Sequence, residues 1–592
     1  MSVGAVGAIA RSEWRRGWRA LVLLGVCVGL AGGVLVGGAA LARRTASAPD
    51  RLLAEVNPGD AHLQIFGPGL VEEVTALPQV AAAFTGGLAV GRLEGPYVVY
   101  NGLVVPMAPP ADVLRPVVIE GRSADPDDPD EVVVLEDAAE ALGFTPGSEL
   151  VLTLLTPEEI SQFDTGFGDP DGQRLELQVV GIVRLPPGVL ASSPLVGTPA
   201  LADRIADDIA GVDAYVALHP GARGEGFDDA VRAVAAEVEM PPGAEEFPPV
   251  AIDDPAAGTA QGRRSARVLV VGLTAAVAVG AAAGLVVLWQ AFSRHHAGTA
   301  AAQRVESALG LTAGERTTAR LLPALVTVVV AGLVATGVAV AAARLEPPGA
   351  VARVEPSPGW RLDVPAVAAG VALLAVVVLL VAAATARRAG RRGAGAAAPS
   401  SVPVWSVAPR RRGWPLAGVA FALSTGDRRG RAPIRASLLG AVLGVAGVVA
   451  TMAFGASLDR LVDTPERYGW RADLVVADVT DEITAELRAD ERVASVTTTG
   501  SAEVMVEGAG VQAYAVDSGP EEVAWELLSG RRPAGPDEVV LGSRLARDLG
   551  LAVGDEVAVE TGGGASLSIV GVGVGPAVAG EDLGRAILLD PT

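Results

Sequence analysis

The sequence predicts a polytopic α-helical membrane protein with five spans and two α+β extracytoplasmic domains, arranged as a duplicated span–domain unit. Three observations carry this. Half of the 592 residues are hydrophobic and mean hydropathy is +0.41, yet the formal net charge is −22. One globular domain does not combine those values; a chain that gathers apolar residues into spans and acids elsewhere does. Five runs free of internal charge are each long enough to cross a hydrocarbon core of ~30 Å. Two distant stretches repeat one residue skeleton.

Residues 1–19 carry Arg11, Arg15, Arg16 and Arg19 with Trp14 and Trp18, the pattern of an amphipathic segment on an inner leaflet. The first span covers 20–42. Its apolar core exceeds the ~7–15 residues of a signal peptide and no A-x-A site follows, so it reads as a retained span. Cys27 is the single cysteine and sits inside this run as a packing residue, which excludes an intrachain disulfide or a thiolate metal cluster. Residues 43–267 form the first external domain, and 268–292 the second span. A loop at 293–320, a third span at 321–343, a short external loop at 344–365 and a fourth span at 366–386 follow. A linker at 387–435 holds eleven Arg against one acid, Asp427. A fifth span at 436–456 precedes the second external domain, 457–592. The Arg-rich segments alternate correctly for a cytoplasmic N-terminus in a plasma membrane.

Small residues recur at four-residue steps within the spans. Gly25, Gly29, Gly33 and Gly37 form a ladder on one face of the first; Gly280 with Gly284, and Gly440 with Gly444, repeat the spacing. Such ladders let helices approach closely in lipid, although a Gly-rich chain also produces the spacing by chance.

The repeat pairs GRSADPDDPDEVVVLEDAAEALGFTPGSELV (121–151) with GRRPAGPDEVVLGSRLARDLGLAVGDEVAV (530–559). The shared order is G-R, P-D-E-V-V, an Ala-rich helix, L-G, then G-x-E/D, and a V-V-G or I-V-G strand follows each. L-G is a helix C-cap signal. Upstream, the run from His62 parallels the run from Asp473; each reads as strand, amphipathic helix and return strand. If the duplication is complete, three further spans follow Thr592, so the simplest expectation is a truncated sequence.

Several chemistries find no support. The chain has no lysine, all 46 basic residues being Arg, and G-x-x-x-x-G-K-[ST] needs Lys on the phosphates. His62 and His219 show no companion ligand, and adjacent His295 and His296 diverge on a helix. The acid run at 125–131 departs from the calcium-loop pattern. The basic linker abuts a leaflet, where anionic lipid rather than nucleic acid attracts Arg. No catalytic, cofactor or metal site is expected.

Taken together, the span–domain–three-span order, the duplicated G-R…P-D-E-V-V…L-G motif, the loop RVESALGLTAGERTTARLL (304–322) and the N-terminal RRGWRALVLLG resemble the FtsX-like (MacB-type) permease family of ABC transporters. The resemblance covers essentially the whole chain, less the last three spans. It implies a permease subunit over a dimer of separate cytoplasmic ATPase subunits, which hold the ATP and magnesium. ATP-driven motion would reach the external domains and export or release a lipid, lipoprotein, peptide or similar cargo. The alternative is a signalling or scaffold protein that regulates an external partner such as a cell-wall hydrolase. Within the loop, Val305, Leu309 and Leu311 are expected on one side of a short helix that Gly310 punctuates. Glu306, Glu315, Arg316 and Arg320 supply charge, and Arg304 opens the loop. An amphipathic helix at a membrane exit suits a partner's groove, and by resemblance this one is the ATPase-coupling loop.

Overall fold

The structure is a computed structural model. It describes residues 3–394 and 434–590, apart from 68, 96–98, 109–111, 161–169, 191–192, 223–224, 239–248, 463, 465–471, 475, 477–480, 508, 519–524, 561–564 and 576–583. The Arg-rich linker therefore lies largely outside the described residues.

Among the described residues, ten helices precede that linker. They are α1 (Val3–Val56), α2 (Leu70–Thr75), α3 (Glu136–Leu142), α4 (Pro157–Ile160), α5 (Pro199–Arg204), α6 (Glu225–Ala235), α7 (Ala257–Ala297), α8 (Ala300–Ala308), α9 (Ala313–Ala342) and α10 (Val364–Ala394). After it come α11 (Ile434–Val462), α12 (Asp481–Ala489) and α13 (Ser543–Leu549). Five of these helices are long and apolar enough to cross a membrane: α1, α7, α9, α10 and α11. The protein is polytopic, with α+β domains beside its spans.

Contacts divide the chain into two units, Met1–Leu154 with Gly172–Ala453, and Leu155–Asp171 with Phe454–Thr592. In the first, α1 packs along α9 and α7, and α10 along α9. Leu288, Phe292, Ala324, Val378, Val381 and Ala382 fill the centre of this bundle. Two of its helices run beyond membrane length into the domain. Ala48, Leu52 and Val56 of α1 and Ala266 of α7 are buried in the same apolar core as Phe84, Val104, Val183 and Tyr215. Asn57 ends α1 in a left-handed turn (φ 49°), its N–H returning to Leu53 O at 2.8 Å, and Pro58 forbids further helix.

The first domain is a ten-stranded sheet, ordered β10-β1-β9-β2-β3-β8-β5-β7-β4 with β6 against β2 and β7. Its strands are β1 (Ala61–Ile65), β2 (Val80–Leu93), β3 (Val99–Pro106), β4 (Val117–Gly121), β5 (Glu131–Leu135), β6 (Glu149–Leu154), β7 (Arg174–Arg184), β8 (Leu195–Val196), β9 (Gly211–Leu218) and β10 (Val250–Asp253). The second unit holds a seven-stranded sheet of β11 (Thr498–Val506), β12 (Ala509–Ser518), β13 (Glu526–Gly530), β14 (Glu538–Gly542), β15 (Glu556–Glu560), β16 (Ala565–Val574) and β17 (Ile587–Leu589).

The two sheets share a topology. β5 and β14 each pair parallel with β7 and β16, and each of those receives β4 or β13 and β6 or β15 antiparallel. Even the bulge repeats: register slips at Val132/Val133 against Val179–Gly181 and at Val539/Val540 against Ile569–Gly571. This explains the repeated glycines. Gly121 (φ 74°) and Gly530 (φ 80°) turn the chain where a Cβ would stand 2.3 Å from Val180 O and 2.2 Å from Val570 O, a place only glycine fits. The neighbouring Arg122 and Arg531 pair with Glu131 and Glu538, so G-R and P-D-E are two ends of one clasp. The Arg531 guanidinium, hydrogen-bonded to the carboxylate, pulls Glu538 down to about 2. Arg122 lowers Glu131 in the same way.

The strand expected in the run from Asp473 lies mostly outside the described residues. The run from Asp473 forms no strand among its described residues, and Leu474 and Val476 are 73% and 46% exposed. In the first domain β1 is held by β9 and β10, which follow β8.

Candidate functional site: the coupling loop, its helix seam and the domain joint

Between α7 and α9 the chain forms α8 and one tight turn. Leu311 N returns to Glu306 O at 3.0 Å and Gly310 N to Ser307 O at 3.1 Å, with Gly310 at φ 88°. This is a Schellman stop, which requires the left-handed residue that glycine supplies. Thr312 then opens α9 with a capping box: its Oγ1 accepts from Glu315 N at 3.2 Å, and Glu315 Oε2 accepts from Thr312 N at 2.9 Å. The turn is thus fixed at both ends by local bonds.

The expected single apolar side is corrected here. Val305 and Leu309 are 61% and 66% exposed, whereas Leu311 is buried. The helix ends at Ala308, so Leu311 lies past the reversal and folds inward. Glu306 and Arg316 face the protein too. Arg320, buried at the start of the α9 span, donates to Glu306 Oε1 at 2.7 Å and stands 3.4 Å from Glu13 of α1. Arg316 Nη1 donates to Gln303 O at 3.2 Å. Arg304 is exposed and Glu315 belongs to the cap. The loop therefore presents Val305 and Leu309 outward and is tied to α1 and α9 behind.

Above this tie runs a glycine seam. A Cβ on Gly25 would stand 2.8 Å from Val330 Cβ; on Gly29, 2.7 Å from Val334 Cβ; on Gly33, 2.6 Å from Val338 Cβ; on Gly37, 2.9 Å from Ala342 Cβ. Facing them, Thr327, Ala331, Ala335 and Ala339 of α9 are buried at the same four-residue step. Thr327 Oγ1 donates across the seam to Leu21 O at 3.0 Å. The other two pairs behave differently. Gly280 lies 2.8 Å (as a Cβ) from Leu35 Cδ2 and Gly440 3.3 Å from Val286 Cγ1, but Gly284 and Gly444 have nothing within 4 Å among the described residues. Only one member of each pair lies at a helix contact, which spacing alone does not reveal.

At the domain end, the sequence reading missed the central residue. Glu355 follows a 3-10 turn, Gly349–Val354, in the α9–α10 loop and is 1% exposed. Its Oε2 accepts from Arg44 Nε at 3.1 Å and Arg51 Nη2 at 2.6 Å, both on α1. Arg44 also donates to the carbonyls of Leu345, Gly359 and Ser357. Arg184 of β7 donates to the Glu355 carbonyl and, at 2.7 Å, to Glu136 on α3. Arg353 reaches Asp137 at 3.1 Å and Glu140 at 3.0 Å. With Val351 and Val354 in the domain core, this loop joins α1, the spans and the first domain. Its signal was faint: partners lie some three hundred positions apart in sequence. His62 likewise has a companion after all, Asp213 at 3.1 Å across the sheet.

Comparison with known proteins bears on the second unit. Residues 436–590 match the MacB-like periplasmic core domain model. Among curated proteins no match was found. Among solved structures, the extracellular domain of noncanonic ABC-type transporter YknZ from Gram-positive bacteria aligns at 10% identity, covering 33% of this chain and 99% of that one, with a TM-score of 0.21. The periplasmic region of MacB from Actinobacillus actinomycetemcomitans aligns at 11% identity over 35% of this chain and 94% of that one, TM-score 0.22. The family match lies on the second repeat, and the first domain repeats its strand pairings. It bears out the MacB-like part of the resemblance read from the sequence: residues 436–590 carry a MacB-like periplasmic core domain.

Proposed function

We propose that the chain is the membrane subunit that receives the stroke of a separate ATPase on the α8–α9 turn and carries it to extracytoplasmic domains, for export or release of an amphiphilic or peptide cargo. The observation that supports this most is mechanical continuity. The turn is ion-paired to α1 through Arg320 and Glu13, α1 and α9 are locked along a glycine seam, and the far end of α1 is buried in the core of the first domain. A displacement at the turn has a close-packed route of helices to follow, because packed interiors shift as units. In this reading the N-terminus and the α8–α9 turn are cytoplasmic, and ATP and magnesium reside on the partner.

Val305 and Leu309 are the contact residues. Burying one such side chain contributes roughly 1.5–3 kcal/mol, so a docked pair is enough to hold a helix in a groove. The test is co-purification of the ATPase subunit with Leu309→Asp/Gly310→Glu. The turn variant is expected to insert normally and lose the ATPase; undiminished co-purification would remove the turn from the mechanism.

A further inference from the structure

A cavity of about 380 Å³ opens where α1, α9 and α10 emerge on the side of the first domain. Its apolar wall is formed by Leu345 and Val364, 57% and 61% exposed, with Gly37 and Ala339 buried beside them at the end of the α1–α9 seam. The cavity is also lined by Arg43, Arg44, Arg51 and Arg361. Against these four guanidinium groups stand two carboxylates, Asp363 in the lining and Glu355 behind it.

The four arginines are not equivalent. Arg44 is buried and consumed by the Glu355 joint. Arg43 and Arg361 are 64% and 44% exposed at the rim; among the described residues Arg43 has the Asp363 carboxylate at 3.4 Å, and Arg361 has Ser357 Oγ at 3.0 Å and Glu355 at 4.0 Å. Asp363 is itself partly engaged, accepting from Ala366 N at 3.0 Å. Deeper in, Arg51 Nε is shut away from solvent with no acceptor among the described residues. A buried donor without a partner is costly, and here it sits in a chamber with surplus positive charge.

From this geometry we infer that the cavity is a binding site for the phosphate headgroup of an anionic lipid in the leaflet facing the first domain. Guanidinium forks match phosphate oxygens bidentately. The volume suits a headgroup rather than a whole lipid, and the apolar wall leaves the acyl chains beside α1 and α10. A soluble phosphate shares the headgroup chemistry but makes no use of that wall. The inference rests on the five helices spanning a membrane and not on transport, so it stands or falls separately from the coupling turn.

The test uses the full chain in nanodiscs of mixed phosphatidylglycerol and phosphatidylcholine, extracted gently and weighed by native mass spectrometry. The wild type is expected to retain phosphatidylglycerol preferentially, and Arg43→Gln/Arg361→Gln to hold it roughly tenfold more weakly or worse, as expected for losing two charge-assisted contacts. Arg361→Gln alone, which leaves the Arg43–Asp363 pair intact, is the control if the double variant melts early, and an intermediate loss is expected. Millimolar inorganic phosphate is expected to leave retention unchanged; release of the lipid by phosphate would assign the site to a soluble anion. Equal retention of the two lipids, or equal retention by wild type and Arg361→Gln, would overturn the site.

Discussion

Gly33→Ala should open the helix seam. The added Cβ would lie 2.6 Å from Val338 Cβ and 3.0 Å from both Ala335 Cα and Ala335 O. Ordinary carbon contacts sit at ~3.5–4.0 Å, so α1 and α9 must part locally by about 1 Å. Neither neighbour yields cheaply, because Val338 is β-branched and the Ala335 atoms are backbone. Overpacking of this kind costs about 1–3 kcal/mol. Gly284→Ala makes the matched control: among the described residues nothing lies within 4 Å of that Cβ, and exchanging glycine for alanine inside a helix gains about 0.5–1 kcal/mol. Both variants are compared with the wild type by thermal unfolding in mild detergent, followed by size-exclusion chromatography. The expected order of midpoints is Gly33→Ala lowest, then wild type, then Gly284→Ala. If Gly33→Ala melts with or above Gly284→Ala, the ladder is not a close-packed seam and the route from turn to domain is lost with it.

Other perturbations follow from the same contacts. Arg320→Met strands Glu306 and Glu13 beside a buried site; breaking a buried pair costs about 3–5 kcal/mol, which a large drop in the same melt would register. Glu355→Gln removes the charge that Arg44 and Arg51 share, and hydrogen exchange at residues 345–361 is expected to accelerate while α3 stays protected. The Arg531–Glu538 clasp sets an acid limit. The folded pKa of Glu538 is about 2 against an ordinary 4.5, so its contribution is present above 4.5 and lost as pH falls toward 2. Glu538→Gln should flatten the pH dependence of the second domain's melting across that window, and an unchanged slope would contradict the pairing.

What the sequence shows plainly is what local chemistry decides. Uninterrupted apolar runs become the five long helices because nothing else satisfies backbone polar groups in lipid. The G-R, P-D-E-V-V and L-G skeleton is legible because each element answers a local demand: a left-handed turn at Gly121 and Gly530, a clasp at Glu131 and Glu538, a helix stop at Gly143 and Gly550. Contacts set by tertiary arrangement are not legible. Gly284 and Gly444 share the spacing of Gly25 and Gly29 but meet no neighbour among the described residues. Leu311 shares the character of Val305 and Leu309 but follows the reversal and is buried. Glu355 looked like one acid in an external loop, and only the fold brings Arg44, Arg51 and Arg184 around it.

The central claim is that this chain works with a separate ATPase docked on the α8–α9 turn. Its most direct test is affinity purification of the native protein from its own membranes in mild detergent, with mass spectrometry of everything retained. A stoichiometric ATPase subunit, lost from Leu309→Asp/Gly310→Glu, is the predicted result. Retention of no ATPase by the wild-type protein would contradict the account.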